Sequence, residues 1–257
     1  MRDPINILIT GASSGLGAAL AKSYAAPGKT LFLQGRNEVR LNAVADEVKA
    51  LGAEVSIRLI DVTNATELLE WIINCDASCP LDLVIANAGT SATTSAIEDS
   101  AEVIKAIFDT NLNGVLNTIH PIMPIMKNRG RGQIVLMSSL ASFRGFPKSS
   151  AYCASKAAVR IYGEAIRPEL ALNNVEVNVI CPGFVKTPMT DVNDFPMPFL
   201  MSAERAAQII KRGLARNKAR IVFPWRLYML IKLINFIPSR LINYILINSP
   251  GKRRCKS

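Results

Sequence analysis

The sequence is poor in histidine and cysteine, the residue types that build most metal sites and many nucleophilic ones. Among its 257 residues there is one histidine, His120, and there are five cysteines, Cys75, Cys79, Cys153, Cys181 and Cys255. A lone histidine excludes a His-rich metal site, and the cysteine spacings lack the paired ligands of a zinc site. We therefore expect no bound metal, reduced thiols as in cytoplasmic proteins, and a core or interface position for His120.

Long apolar runs are also lacking. Near the N-terminus the run Ile5–Ile9 stops at Thr10, well short of the roughly 7–15 apolar residues of a signal peptide. After residue 223 the apolar stretches are about 7–12 residues long, whereas a membrane-spanning helix needs about 20. These lengths predict a cytoplasmic protein without a transmembrane helix.

Acidic residues are almost absent from the last part of the chain. Residues 1–199 contain 17 Lys and Arg and 19 Asp and Glu, but residues 200–257 contain 13 Lys and Arg and only Glu204. The formal net charge of +10 therefore arises from the C-terminal part. Such an asymmetry indicates an anionic partner.

Two apolar segments lie in this basic part, at residues 225–237 and 241–247, and the basic tail Lys252–Lys256 follows them. Amphipathic segments with basic flanks are typical of helices that lie on an anionic membrane surface. The alternative is that these helices pack on the protein's own core or on a partner subunit. A nucleic acid partner is disfavoured, because the segments are too apolar to follow a phosphate backbone.

Short apolar runs alternate with helical patterns in the rest of the chain. The candidate strands are Ile5–Thr10, Thr30–Gln34, Glu54–Leu59, Leu81–Ala86, Gln133–Ser138, Val175–Cys181 and Ala219–Phe223, and the helical windows are 15–26, 38–50, 64–75, 99–128 and 152–173. Continuous apolar strands between helices predict an α/β fold with a doubly wound parallel sheet. We expect one domain over residues 1–222, followed by an amphipathic helical extension over residues 223–257.

A glycine-rich segment, Thr10–Gly17, joins the first candidate strand to the first helical window. Its glycines, Gly11, Gly15 and Gly17, allow a tight turn and a close approach of the backbone to a pyrophosphate, which the helix N-terminus would bind. The alternative is a plain connector. The segment has no lysine of the kind found in P-loops, which argues against an ATPase or GTPase.

A second constellation combines Tyr152, Lys156 and Ser139. Tyr152 and Lys156 are four residues apart and therefore share one face of a helix. An ammonium about 4 Å from a phenol, at an effective dielectric constant of about 20, supplies roughly 4 kcal/mol and would lower a tyrosine pKa of about 10 to near 7. The alternative is a surface Tyr–Lys pair, which is common on amphipathic helices.

Taken together, these features closely resemble the short-chain dehydrogenase/reductase family over about residues 5–222. The resemblance is carried by Thr10-Gly11-Ala12-Ser13-Ser14-Gly15-Leu16-Gly17, Asn87-Ala88-Gly89, Asn111, Ser139 and Tyr152-Cys153-Ala154-Ser155-Lys156. It implies a Rossmann-type fold in which residues 1–222 bind a dinucleotide. One departure is Ala86, where many members have a second asparagine.

The resemblance also implies a role for each matching residue. Tyr152 would be the general acid/base, Lys156 would lower its pKa and hold the nicotinamide ribose, and Ser139 would hydrogen-bond the substrate oxygen. Asn111 would hold a water molecule in the proton relay. The cofactor-binding residues would be Gly11, Ser13, Ser14, Gly15, Leu16 and Gly17 in the glycine loop, Asp61 and Val62 at the adenine end, Asn87, Ala88 and Gly89 in the cleft, Tyr152 and Lys156, and Pro182, Gly183, Val185 and Thr187 near the nicotinamide.

The turn after the second candidate strand favours NADP(H). Rossmann sites that prefer NAD place a carboxylate there, whereas NADP sites place an arginine near the 2′-phosphate. Here Arg36 occupies the turn without a carboxylate, and Arg40 follows one helical turn later. Arginine binds phosphate through paired N–H donors. The alternative is a solvated arginine at a helix start, and NAD(H) remains a second candidate cofactor.

The expected function is therefore that of an NADP(H)-dependent oxidoreductase that interconverts a carbonyl and an alcohol. The loop Met189–Met201 is rich in Phe, Met and Pro, which indicates a bulky lipophilic substrate. As the resemblance implies, we expect a homodimer or homotetramer. The competing hypothesis is a membrane-peripheral dinucleotide-binding or scaffold protein without turnover, against which the complete catalytic set argues.

Overall fold

A parallel sheet of seven strands lies at the centre of the part of the chain that the structure describes. The structure is a computed structural model and describes residues 3–91, 100–191, 193 and 195–238. Its strands are β1 Asn6–Ile9, β2 Thr30–Gly35, β3 Glu54–Leu59, β4 Leu83–Ala86, β5 Gly132–Met137, β6 Val175–Pro182 and β7 Arg220–Phe223. Every strand predicted from the sequence is therefore present, and only the ends differ slightly.

Helices cover both faces of this sheet. They are α1 Gly15–Tyr24, α2 Glu38–Ala50, α3 Ala65–Ser78, α4 Ala101–Phe108, α5 Gly114–Ile119, α6 Met123–Arg129, α7 Ser150–Ala171, α8 Pro188–Asp191, α9 Ala203–Ala215 and α10 Trp225–Ile234. Leu20 of α1 and Ile210 of α9 are buried on one face. Ile72 of α3, Met126 of α6 and Ile166 of α7 are buried on the other. The continuous apolar strands are thus shielded on both sides, and the predicted Rossmann-type α/β fold is confirmed.

The strand order is β3-β2-β1-β4-β5-β6-β7, and all neighbouring strands are parallel. The chain builds one half of the sheet outwards from β1 and then returns to the centre at β4 to build the other half. This reversal leaves a crevice between the loops that follow β1 and β4. Because all carboxyl ends of the strands point to one edge, the loops that follow them gather there.

The predicted helical window 99–128 is not one helix. It begins outside the described residues and contains α4, a π-helical turn at Asp109–Asn113, α5 and α6. Pro121 lies between α5 and α6 and lacks the N–H that a continuous helix would need there. Helix α9 is absent from the predicted windows, although Ser202 marks its start by accepting a hydrogen bond from the Arg205 N–H.

The lone histidine is an exposed residue. Nε2 of His120 lies 2.6 Å from the Tyr162 hydroxyl, so the core interpretation is wrong and the interface interpretation stays a prediction. The cysteines with free thiols among the described residues are Cys75, Cys79, Cys153 and Cys181.

Helix α10 packs against the domain with one of its faces. Leu227 and Ile231 are buried next to Leu140, which follows β5. The sequence analysis leaves two arrangements open for this segment, contact with a membrane surface and packing on the protein's own core or on a partner subunit. The inner face of α10 packs on the protein's own core. The second apolar stretch, residues 241–247, and the basic tail lie outside the described residues. Within residues 3–91, 100–191 and 195–238, the structure contains no helix of the length and apolarity that crossing a membrane requires.

Close packing of α7 on β6 can be tested at Gly163. A Cβ atom at this position would approach Cγ2 of Val179 to 2.6 Å. Gly163→Ala should lower the free energy of unfolding by about 1–3 kcal/mol, although alanine by itself favours a helix by about 1 kcal/mol. Urea unfolding measures the difference. The matched control is Gly145→Ala, whose Cβ would meet no atom within 4 Å, and an unchanged stability of Gly163→Ala would contradict the packing.

Candidate active site

The site residues predicted from the sequence gather at the carboxyl edge of the sheet. The glycine loop follows β1, Arg36 follows β2, Asp61 follows β3, Asn87–Gly89 follow β4, Ser139 follows β5 and Gly183–Thr187 follow β6. Tyr152 and Lys156 come from the first turns of α7. The parallel topology therefore brings together side chains that are far apart in the sequence.

A cavity of about 1140 Å³ opens at this edge. Its walls contain all but one of the predicted site residues, namely Gly11, Ser13, Ser14, Gly15, Leu16, Gly17, Arg36, Asp61, Val62, Asn87, Ala88, Gly89, Ser139, Tyr152, Lys156, Pro182, Gly183, Val185 and Thr187. The exception is Asn111, which is fully buried and does not line the cavity.

The glycine loop has a backbone that other residues would distort. Gly11 and Gly15 have φ angles of +67° and +55°, in the left-handed region that glycine adopts without strain. A Cβ atom at Gly17 would lie 2.2 Å from the Gly11 carbonyl oxygen, so α1 starts directly against the loop. The side chain of the N-cap residue Ser14 does not cap the first turn of α1, and its N–H groups suit an anion such as a phosphate.

Two buried side chains that are not among the predicted site residues, Gln34 and Thr10, support this loop. Oε1 of Gln34 accepts the Gly11 N–H at 3.0 Å, and Nε2 of Gln34 donates to the Ile60 carbonyl. The Thr10 hydroxyl accepts the Asn87 N–H at 3.1 Å. A polar residue inside an otherwise apolar strand is the signal by which Gln34 can be found.

Asn87 fastens the loop after β4 to the loop after β1. Its Nδ2 donates to the carbonyl oxygens of Thr10 and Gly11 at 3.0 and 3.2 Å. These bonds fix the two walls of the crevice at a constant distance. Ala86, the departure from the family pattern, is buried in β4 and leaves these bonds intact.

Arg36 lies at the margin of the cavity and pairs with Asp61. Nη1 of Arg36 is 3.0 Å from Oδ2 of Asp61, and Thr63 donates to the other carboxylate oxygen through its N–H and its hydroxyl. Partial burial raises the pKa of Asp61, but the hydrogen bonds from Thr63 and Arg36 outweigh this effect and the pKa lies below its usual value. The pair holds the guanidinium beside the cavity, where Arg40 also lines the wall.

Ser139, Tyr152 and Lys156 meet where the end of β5 contacts α7. Ser139 and Tyr152 both line the cavity, and Ser139 lies close enough to Tyr152 to influence its pKa. Nζ of Lys156 donates to the Met137 carbonyl at 2.9 Å, and the Ser138 hydroxyl donates to the Lys156 carbonyl at 2.8 Å. These bonds fix α7 on the end of the strand and hold the tyrosine and the lysine on the same side of the cavity.

Burial favours the uncharged forms of both titrating groups. It raises the pKa of Tyr152 above its usual value, although Ser139 opposes the rise. This direction is opposite to the one expected from Lys156, because burial has the largest effect on the Tyr152 pKa. Burial also lowers the pKa of Lys156 to about 8. At pH 7 the lysine is therefore still charged, and the phenol keeps its proton.

Asn111 joins the loop after β4 to α7. Its Oδ1 accepts the Thr90 N–H at 2.7 Å, and its Nδ2 donates to the Thr90 carbonyl and to Oγ of Ser155 at 2.9 and 3.1 Å. A Cβ atom at Gly89 would lie 3.2 Å from Oδ1 of Asn111 and 3.1 Å from Nζ of Lys156. The side chain of Asn111 thus positions both segments, and its role toward a water molecule stays a prediction.

Apolar side chains gather in one part of the cavity, which is its apolar end. Its walls come from the segment after Ser139, from the loop after β6 and from α10 with the residues that follow it, and include Phe146, Phe184, Phe195, Pro198, Leu227, Leu230, Ile231, Ile234 and Ile237. The rings of Phe184 and Phe195 meet edge to face, with centroids 6.0 Å apart. The sequence predicts the contribution of the loop 189–201 to this part of the cavity. Residues 192 and 194 of the loop lie outside the described residues. The contribution of α10 is not expected, although its apolar residues recur at helical spacing.

The residues of this cavity fit a nicotinamide dinucleotide. The uncapped start of α1 and the glycine loop suit a pyrophosphate, because they offer backbone N–H groups without side chains in the way. Arg36 offers a cation at one margin, and the hydrogen-bonding groups of Tyr152 and Lys156 lie in the same cavity. The apolar end leaves room for a second, lipophilic molecule.

Comparisons with known proteins agree with this geometry. A family model described as short chain dehydrogenase matches residues 6–195. An uncharacterised oxidoreductase of Myxococcus xanthus (strain DK1622) is 42% identical over 237 residues, which cover 92% of this chain and 94% of that protein.

Solved structures show the same fold. A short-chain dehydrogenase from Sphingobium yanoikuyae in complex with NADPH has a TM-score of 0.80 at 25% identity, and the match covers 91% of this chain and 97% of that chain. A short-chain dehydrogenase from Mycobacterium paratuberculosis bound to NAD has a TM-score of 0.75 at 25% identity, with 85% and 94% covered. These similarities lend no support to the alternative of a scaffold protein without turnover.

The burial of Lys156 predicts a stability that depends on pH. Because burial lowers the pKa to about 8, from about 10.4 in an unfolded chain, charging this lysine costs the folded state about 3 kcal/mol below pH 8, and the cost disappears as the pH rises to about 10.4. Loss of the hydrogen bond to Met137 offsets about 1 kcal/mol. Lys156→Met should therefore be more stable than the native protein at about pH 7, by roughly 1–2 kcal/mol, but not at about pH 10.5.

Urea unfolding without added nucleotide at both pH values measures this difference. Lys127→Met, at an exposed lysine of α6, is the control. Its free energy of unfolding should differ from that of the native protein by the same amount at both pH values. If Lys156→Met were destabilised more at neutral than at alkaline pH, the ammonium would not be disfavoured by the fold.

Proposed function

The chain belongs to the short-chain dehydrogenase family of oxidoreductases, and from this premise we propose that it is an NADP(H)-dependent enzyme that interconverts a carbonyl and an alcohol on a lipophilic substrate. The observation that carries the proposal is the single cavity that contains the glycine loop, Arg36 and the group Ser139, Tyr152 and Lys156. One end of this cavity suits a dinucleotide and the other an apolar molecule.

The catalytic roles follow from what carbonyl reduction needs. The bound cofactor would supply the hydride, so the protein must supply a proton and stabilise charge on the carbonyl oxygen. Tyr152, which burial keeps protonated at pH 7, would donate the proton. Ser139, which lines the same cavity, would donate a hydrogen bond to the same oxygen. The Lys156 ammonium would stabilise the phenolate that remains, and the protonated phenol favours reduction over oxidation.

The assignment of the remaining site residues completes the proposal. Asn111 would position Thr90 and α7 and hold a water molecule that returns a proton to Tyr152. The glycine loop would bind the pyrophosphate, and Asp61 with Val62 would lie at the adenine end. Residues 87–89 would line the cofactor cleft, and Pro182, Gly183, Val185 and Thr187 would lie near the nicotinamide.

The preference for NADP(H) rests on Arg36. A guanidinium has five N–H donors, and its contact with Asp61 uses one of them, so donors remain for a 2′-phosphate. Asp61 draws the same guanidinium away from other anions, which is why NAD(H) is kept as a second cofactor. Either cofactor occurs among similar proteins, since one similar structure holds NADPH and another holds NAD.

The proposal extends to domain organisation and assembly. Residues 1–222 would form the dinucleotide-binding catalytic domain, and residues 223–257 an extension whose first helix completes the cavity and whose outer surface meets an anionic membrane. A homodimer or homotetramer would cover the exposed side chains of Val103 on α4 and Ile161 on α7. The lipophilic character of the substrate is inferred from the apolar end of the cavity.

Tyr152→Phe tests the catalytic role of the phenol. Removing the proton donor should lower kcat for NADPH-dependent reduction of a ketone by about 10²- to 10⁴-fold, whereas the affinity for NADPH, measured by fluorescence titration, should fall by no more than about tenfold, as the loss of one hydrogen bond allows. Tyr162→Phe, at a partly buried tyrosine beside His120 that does not line the cavity, is the matched control. Turnover that survives in Tyr152→Phe would contradict the mechanism.

Arg36→Ala tests the choice of cofactor. Loss of a charge-assisted contact worth about 1.5–3 kcal/mol should lower the ratio of kcat/KM for NADPH over NADH by roughly 10- to 100-fold. Arg58→Ala removes an arginine of similar exposure that pairs with Glu67 and does not line the cavity, and it should leave the ratio as it is. An unchanged ratio in Arg36→Ala would exclude a contact between this residue and the 2′-phosphate.

A further inference from the structure

Helix α10 presents apolar side chains to two different surroundings. Leu227, Leu230, Ile231 and Ile234 line the cavity. On the outside, Trp225, Met229, Leu233 and Phe236 are 67, 46, 61 and 85% exposed. Their spacing of three or four residues places them on one side of the helix and its last turn, as an outer stripe. Leu230 is 50% exposed and still lines the cavity, so the outer stripe and the cavity share an edge.

The charged residues of α10 and of the sequence that follows it are all basic. From Arg205 to the end of the sequence at Ser257 there are Lys and Arg residues but no Asp or Glu. Arg226 lies over the Trp225 ring at 5.7 Å, and Lys232 lies over the Tyr228 ring at 5.2 Å. A second copy of this chain, placed on the stripe by a two-fold axis, would bring cations against cations. An anionic bilayer instead supplies apolar chains for the stripe and phosphates for the cations.

A side-chain clasp holds the end of α10 at the cavity. Nδ2 of Asn235 donates to the Phe143 carbonyl at 3.1 Å, and Nη1 of Arg144 donates to Oδ1 of Asn235 at 3.1 Å. Phe143 and Arg144, which bind the Asn235 side chain, lie four and five residues after Ser139. The helix that carries the outer stripe is therefore fixed to the segment that carries a residue of the proposed catalytic group.

We propose that α10 is an entry wall between an anionic bilayer and the catalytic cavity, and that the substrate is a long-chain carbonyl compound dissolved in that bilayer. Such a molecule would pass the edge at Leu230 into the apolar end of the cavity without crossing water. The proposal rests on the proposed function, which supplies the reaction. It adds the source of the substrate and its chemical class.

The test compares two ketones in the presence and absence of vesicles made of equal parts phosphatidylglycerol and phosphatidylcholine. For a long-chain methyl ketone, the vesicles should raise kcat/KM by about tenfold or more, because enzyme and substrate are concentrated on one surface. For cyclohexanone, which stays in water, the rate should not change. The double variant Met229→Ser with Leu233→Ser should lose the vesicle effect and sediment less with the vesicles, yet reduce cyclohexanone at the native rate.

The matched control is Leu69→Ser with Ile73→Ser, which removes two exposed apolar side chains one turn apart on α3 and should behave as the native protein does. The entry wall is refuted if vesicles slow the long-chain reaction by sequestering the ketone, or if the double variant of α10 keeps the vesicle effect. A change of oligomeric state in that variant, seen by sedimentation without vesicles, would assign the stripe to a second copy instead. Failure to reduce either ketone would refute the proposed function itself, whereas reduction of cyclohexanone alone refutes only the entry wall.

Discussion

The parallel pairing of β1 with both β2 and β4 is the constraint on which the site depends. Since all strands point in one direction, every strand releases its chain at the same edge, and the return to the centre at β4 separates two neighbouring loops there. Asn87 then ties these loops through the carbonyl oxygens of Thr10 and Gly11. The distance between the glycine loop and the loop after β4 is thus set by the sheet and by one amide side chain, so that the crevice exists as part of the fold.

A second consequence of this arrangement is electrostatic. Lys156 is buried against the end of β5, where the Met137 carbonyl is its hydrogen-bond partner. A charge in this position costs free energy, and natural proteins retain such costs mainly at functional sites. The packing that destabilises the ammonium also excludes water from its surroundings, which strengthens its interaction with any charge that develops nearby.

The sequence predicts the fold and the composition of the site well, because both depend on local patterns. Apolar runs such as Thr30–Gln34 mark buried strands, and the glycines of Thr10–Gly17 mark a backbone that no other residue adopts without strain. The pairing of Arg36 with Asp61 and the raised pKa of Tyr152 depend on burial and on neighbours from distant parts of the chain, and no sequence pattern reports them. The break between α5 and α6 follows from Pro121, which is visible in the sequence, whereas no sequence pattern indicates the π-helical turn at Asp109–Asn113. The two faces of α10 could not be separated, since apolar residues lie on both.

The clasp formed by Asn235 has a thermodynamic implication. It makes the outer helix and the segment after Ser139 parts of one body, so that whatever shifts the helix also shifts a wall of the cavity. Linkage of this kind is reciprocal. If contact with a surface raises the affinity of the cavity for a ligand, the ligand raises the affinity of the protein for the surface by the same factor. Residence time on such a surface and occupancy of the cavity would then rise and fall together, and departure of the product would weaken the binding of the protein to that surface.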